Sequence, residues 1–240
     1  MNFLKKSFFW TRSTIIDFFV FIGTFFLVPI FSRVSLKWIN NGVQNKPIIL
    51  IHGYLHHAFV WIYHGKKLSK KGFSPIYTLN LKHSLASIHN HANDLEKKIN
   101  QILKETKSDE IILIGHSMGG VIASYYALNI AKKGLVKHVI TIGSPLRGTK
   151  IAKFGIGKCA KEMKRDSEFI LDLSEKIKKE KEINFYHIAT KTDELVVPYN
   201  SAIMIGEEKK HFTLNGLGHG SLLYSKRVND KISFWLNKIA

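Results

Sequence analysis

The chain of 240 residues reads as one α/β domain built on a mostly parallel central sheet with helices on both faces. Three observations predict this. Short apolar, β-branched runs alternate with segments of helical spacing, the signature of buried parallel strands joined by crossover helices. The length suffices for one full core. The pentapeptide Gly115-His116-Ser117-Met118-Gly119 sits between such a run, Ile111-Ile112-Leu113-Ile114, and a helical pattern from Val121 to Lys133. There it has the strand–turn–helix setting that gives a G-x-S-x-G pattern its meaning.

The elements follow in order. Asn40-Asn41-Gly42 reads as a turn or linker. Pro47 to Ile51 is a short buried strand ending at His52-Gly53, and Ala58 to Lys71 is a helix closed by Gly72. Ile76 to Leu81 is the next strand. From Ser87 to Thr106, Leu95, Ile99, Ile102 and Leu103 fall on one helical face, with Glu96, Lys97, Lys98 and Lys104 toward water. Glu110 to Ile114 is the strand into the serine turn. Val136 to Ile142 and Ile183 to Ala189 are further strands, Lys209 to Leu214 a weaker one, and Lys226 to Ile239 a closing amphipathic helix. Residues 146 to 182 interrupt the rhythm with Lys and Glu around Phe154, Ile156, Met163, Phe169, Ile170, Leu171, Leu173 and Ile177. They predict one or two helices inserted as a small cap above the sheet, because the insertion follows a strand whose C-terminal end borders the crevice.

Residues 1 to 40 form a separate hydrophobic segment ahead of a domain at 41 to 240. From Thr14 to Phe31 run 18 residues interrupted by one charge, Asp17, just enough to span a bilayer. Lys5, Lys6 and Arg12 precede them and favour a cytoplasmic N-terminus. A membrane anchor is expected. A cleaved signal peptide lacks its A-x-A-like site, and a helix lying on the membrane or on the domain is the third reading. Asp17 and Pro29 count against a clean spanning helix.

The net charge of +18 suggests attraction to a polyanion or an anionic membrane; a solvated Lys-rich surface is the plainer reading. The basic residues are scattered without a recognition motif, so no nucleic-acid partner is expected. The single cysteine, Cys159, excludes an internal disulfide and lies outside every motif. His56-His57 and His89-x-His91 lack a third ligand at a recognisable spacing, so no metal site is expected. No nucleotide-binding glycine loop is present.

Ser117 is the candidate nucleophile. The tight turn forces strained backbone angles and requires small flanking residues, and the helix behind it favours developing negative charge. A serine needs a base, and the base an orienting acid. Asp193 follows the strand Ile183 to Ala189, in Asp193-Glu194-Leu195-Val196-Val197-Pro198, at the same sheet edge as Ser117; Glu194 is its rival and Asp172 a weaker one. His219, one of 12 histidines, stands out by position in the loop Gly216-Leu217-Gly218-His219-Gly220 after the last strand. His211 reads as structural, and His116 as packing or bonding beside the site. The backbone N–H groups of Met118 and Tyr54 are the candidate oxyanion donors.

These motifs together resemble the α/β-hydrolase superfamily over about residues 46 to 235. The resemblance rests on Ile51-His52-Gly53-Tyr54, on Ile114 to Gly120, on Thr141-Ile142-Gly143-Ser144-Pro145 with Arg147-Gly148-Thr149, on Asp193 to Pro198, and on Gly218-His219-Gly220. Gly-Ser-Pro with a following Gly-Thr is similar to triacylglycerol lipases and related membrane-associated deacylases. The resemblance implies the α/β-hydrolase fold and an ester hydrolase working through Ser117, His219 and Asp193 without a cofactor. It implies a lipid or small-molecule ester as substrate. An acyltransferase with the same triad and an alcohol acceptor is the alternative.

Overall fold

A computed structural model describes residues 35–40, 46–81, 83–204 and 210–239. The apolar segment 14–31, read above as a membrane anchor, lies outside them. Among the described residues no helix is long and apolar enough to cross a membrane.

Among the described residues seven strands form one sheet: β1 (Lys37–Trp38), β2 (Ile48–Ile51), β3 (Ile76–Leu79), β4 (Ile111–His116), β5 (Val136–Ile142), β6 (Asn184–Thr190) and β7 (His211–Leu214). Their order is β1-β3-β2-β4-β5-β6-β7. All neighbours are parallel except β1, which pairs antiparallel with β3. Strand alternation divides the core. Ile49, Ile51, Leu113 and Val139 face one side, and Ile48, Leu50, Ile112, Ile114 and Ile140 the other. Helices cover both faces, so the strands read as continuous apolar runs.

On the first face lie α2 (Ile88–Thr106) and α3 (Met118–Asn129). The Ser87 hydroxyl caps α2 by accepting from the Asn90 N–H at 3.2 Å, and Lys107 ends it in the left-handed region. Ile88, His91, Ala92, Leu95, Ile99 and Ile102 make the buried stripe at helical spacing. The opposite face carries α1 (Ile62–Lys70) and α6 (Lys226–Ile239).

The departures from the sequence reading are local. The helix expected from Ala58 begins as a 3-10 turn, Ala58–Trp61, whose first turn is tightened by the His57 ring accepting from the Phe59 N–H. The helix after Ser117 starts at Met118, because glycines 119 and 120 adopt helical angles at once, and stops at Asn129. Lys37–Trp38, too short to stand out, is held at the sheet edge where the Trp38 ring fills the space beside Gly65. Segment 146–182 holds a 3-10 turn (Lys150–Phe154), α4 (Lys158–Glu162) and α5 (Glu168–Lys179). Ile170, Leu173 and Ile177 place α5 in the first-face core as a sheet-covering helix. The part before it is tied to the β3–α2 connection, the Lys158 and Cys159 N–H groups donating to Leu85 and Ala86.

Candidate active site

The order in which the chain adds strands to the sheet reverses at β2. From β2 the chain moves outward to β3, then returns to β4 on the other side. Such a switch point opens a crevice at the C-terminal strand ends. The two loops that border it are His52-Gly53-Tyr54 after β2 and the turn at Ser117 after β4.

Ser117 has φ 56° and ψ −126°, a strained conformation for a residue with a side chain. Its N–H donates to the Ile142 carbonyl at 2.9 Å. The surrounding glycines are steric requirements. A Cβ on Gly119 would lie 2.1 Å from the Ile51 carbonyl oxygen, and one on Gly115 2.3 Å from the Gly120 nitrogen. One on Gly120 would lie 2.0 Å from Ser144 Oγ. Gly53 abuts the serine itself: its Cβ would stand 2.8 Å from Ser117 Cβ and 3.4 Å from Oγ. Ser117 remains partly exposed where these backbones converge.

Asp193 and His219 meet in the buried part of the same rim. Both carboxylate oxygens lie 3.0 Å from His219 Nδ1. The acid is fixed by its own turn, Oδ1 accepting from the Leu195 and Val196 N–H groups at 2.9 and 2.7 Å. The imidazole loop is sewn to the acid loop. The hydroxyls of Thr190 and Thr192 both donate to the Leu217 carbonyl at 2.7 Å, and the Gly216 N–H donates to Thr192 at 3.1 Å. Gly143, at φ 54°, leaves the room this pair occupies; its Cβ would stand 3.3 Å from His219 Nδ1 and 3.4 Å from Asp193 Oδ2.

Two further residues hold the main chain of His219. The Glu194 carboxylate accepts its N–H at 3.1 and 3.3 Å. Glu194, the sequence rival of Asp193, therefore grips the backbone of the histidine while Asp193 grips its ring. His116 Nε2 lies 3.1 Å from the His219 carbonyl and must be the donor, since a carbonyl only accepts. The rings of His116 and His219 are 4.7 Å apart. Burial, followed by the neighbouring His219, holds the His116 pKa well below its ordinary value and keeps it neutral. Asp172 lies far from this arrangement, pairing with Lys176 on α5 at 2.8 Å.

Of the two candidate donor residues, Met118 is the first residue of α3, where a backbone N–H has no partner in its own helix. Tyr54 leads out of the crevice loop, and its phenol bridges to the Ile156 peptide. The hydroxyl donates to the Ile156 carbonyl at 2.8 Å and accepts from its N–H at 3.0 Å. Below them His52 stays neutral, its pKa lowered to about 3 by burial, and its Nε2 accepts the Leu81 N–H at 3.2 Å. Nothing in the sequence marks the roles of Thr190 and Thr192 or the hold of Glu194 on the backbone. Gly143 stands in the motif Thr141 to Pro145, but the room it leaves for the Asp193–His219 pair is visible only in the structure.

The alpha/beta hydrolase fold family model matches residues 46–166, half of the chain, including the loop after β2 and the whole serine turn. The chain belongs to this family. A triacylglycerol lipase of Pseudarthrobacter phenanthrenivorans is 32% identical over 116 residues, 45% of this chain and 35% of that protein. The 1-acylglycerol-3-phosphate O-acyltransferase ABHD5 of Rattus norvegicus is 25% identical over 116 residues, 45% of this chain and 32% of that one. The matched region thus spans about a third of these relatives. Among solved structures, mature Bacillus licheniformis lipase BlEst2 superposes with a TM-score of 0.69 at 12% identity, covering 86% of this chain and 98% of that one. Aspergillus fumigatus lipase B gives 0.65 at 19% identity, covering 80% and 54%. At such identities the structural likeness concerns the fold.

Proposed function

We propose that this hydrolase-family chain cleaves carboxylic esters of lipids through an acyl-enzyme on Ser117. The observation that carries the reading is the buried Asp193–His219 pair, both carboxylate oxygens 3.0 Å from Nδ1, at the strand-end rim that also bears the strained Ser117. With Nδ1 held by Asp193, Nε2 is the atom that takes the Ser117 proton as Oγ attacks the ester carbonyl. The N–H groups of Tyr54 and Met118 hold the oxyanion. His219 returns the proton to the leaving alcohol. Water then attacks the acyl-enzyme by the same route and frees the acid. Asp193 keeps the ring oriented and stabilises its cationic form, and the cycle needs only these groups and water.

The lipid preference is supported by the triacylglycerol lipase relatives and by the apolar 14–31 segment, which in this reading holds the enzyme at a membrane. A second reading, acyl transfer to an alcohol in place of water, is favoured by the acyltransferase-named relatives. One assay separates them: acyl esters of rising chain length, with and without an acceptor alcohol, given to wild type and Ser117→Ala. Hydrolysis that rises with chain length and disappears in Ser117→Ala supports the lipase reading. Ester formation on the acceptor at the expense of free acid supports transfer. Full activity in Ser117→Ala refutes both. For the anchor, release from membranes by salt alone would exclude a spanning segment.

A further inference from the structure

Beside the crevice two large apolar side chains stand in solvent: Phe154 is 73% and Ile156 71% exposed, with the exposed Leu85 against the same loop. Their loop is firmly built. Tyr54 holds the Ile156 peptide through both its N–H and its carbonyl. The Lys158 N–H donates to the Leu85 carbonyl at 2.9 Å, and a Cβ on Gly157 would lie 2.7 Å from Leu85 Cβ. The backbone is satisfied and the apolar side chains are what the loop presents outward. Exposed apolar groups gathered on a rim mark a contact surface.

The charge around them is one-sided. Residues 147 to 165 carry Arg147, Lys150, Lys153, Lys158, Lys161, Lys164 and Arg165 against one acid, Glu162, whose carboxylate accepts the Ile88 N–H. Lys150, Lys153, Lys158, Lys161, Lys164 and Arg165 are exposed, and no ion pair among the described residues involves them. Lys153 lies over the Phe154 ring, 4.7 Å from its centre.

We propose that this rim, centred on Phe154 and Ile156, with Lys153 over the Phe154 ring and the other exposed cations of the same segment, docks on the surface of an anionic bilayer and presents the crevice to it. The inference rests on the lipid-ester reading for its purpose but on the rim alone for its physics. Cations at an anionic leaflet and apolar groups entering the acyl boundary act together on one face. A soluble polyanion would satisfy the lysines and leave Phe154 and Ile156 in water. The Tyr54 bridge also joins the docked loop to the candidate oxyanion loop.

The test uses the full chain with Phe154→Trp as reporter, read against wild type to remove the native tryptophans. The probes are phosphatidylcholine vesicles with and without about 30% phosphatidylglycerol, plain or brominated in the acyl chain. The expected result is a blue shift and quenching by brominated lipid in anionic vesicles, several-fold weaker in neutral ones. The signal should fall at least tenfold at equal lipid when Lys150, Lys153 and Lys158 are changed to Gln, since each is worth about a fivefold change in affinity. Because the reporter sits on the rim, binding through residues 14–31 alone gives no signal. No response at position 154, or a response to heparin with no quenching by brominated lipid, overturns the proposal. Hydrolysis of a water-soluble short-chain ester by Phe154→Glu is measured in parallel. The variant should hydrolyse this ester as wild type does; absence of hydrolysis in wild type as well would refute the ester reading, while the fluorescence still decides the docking.

Discussion

The turn that carries Ser117 and the loop that carries His219 meet at one rim and are built by different means. Around Ser117 the determinant is exclusion: the start of helix α3 lies so close to β4, to the end of β2, to Thr141 of β5 and to Ser144 after it that Gly115, Gly119 and Gly120 have no room for a Cβ. Around His219 the determinant is attachment. Its ring is held by Asp193, its N–H by Glu194, its carbonyl by His116, and its loop by Thr190 and Thr192. Steric sites fail when an atom is added. Attached sites fail when a partner is removed, and they degrade by steps.

The largest effect is expected on the attached side. Asp193→Asn keeps the size of the side chain but cannot stabilise a cationic imidazole, and it should lower kcat by about 10³–10⁴ with little change in substrate KM. A fall under tenfold would mean that another carboxylate orients His219. Next comes the steric side. Gly119→Ala places a methyl 2.1 Å from a backbone oxygen and should cost about 3 kcal/mol or more, read as the shift in denaturant midpoint. A variant of unchanged stability would show that the close approach of α3 to β2 is not obligatory.

Glu194 sharpens the comparison further. Glu194→Ala frees the His219 N–H and should lower kcat about tenfold to a hundredfold. Glu194→Gln keeps an acceptor and should recover most of it. Equal loss in both would point to the charge of Glu194 rather than its hold on the backbone, and the kcat–pH profile would then move.

The smallest effect is spread through the core. His52, His64 and His187 have pKa values lowered to about 3, 4 and 3, each chiefly by burial. His64 is satisfied when neutral, donating from Nε2 to the Leu222 carbonyl and accepting at Nδ1 from the Asn229 amide. In the unfolded chain these histidines take up protons near pH 6.5 and in the folded chain they do not. Stability is therefore complete above about pH 7 and declines as pH falls toward 4, by at most about 1.4 kcal/mol per pH unit for each histidine. Chemical denaturation at pH 7, 6 and 5 checks the sign; greater stability at pH 5 would contradict it.

The same contrast explains what could be read without coordinates. Parallel strands buried on both faces are written as apolar runs, and β5 and α6 fall where their patterns place them. The serine turn is legible because steric exclusion leaves glycines at fixed spacing. The attachments of His219 are not legible. Thr190, Thr192 and Glu194 are ordinary polar residues whose partners lie 25 to 27 positions away. Lys37–Trp38 is too short to carry a pattern, and its place depends on pairing with β3. Glu194 and Asp193 are adjacent in sequence, and only the fold assigns one to the backbone and the other to the ring.

In the proposed reaction the acyl group passes to the Oγ of Ser117, the strained serine after β4. Reacting the 240-residue chain with a fluorophosphonate ester and mapping the adduct by mass spectrometry checks this step. The expected result is a single adduct on Ser117, formed slowly or not at all in His219→Ala. An unmodified Ser117 in protein that is hydrolysing ester, or an adduct on a different serine, would contradict it.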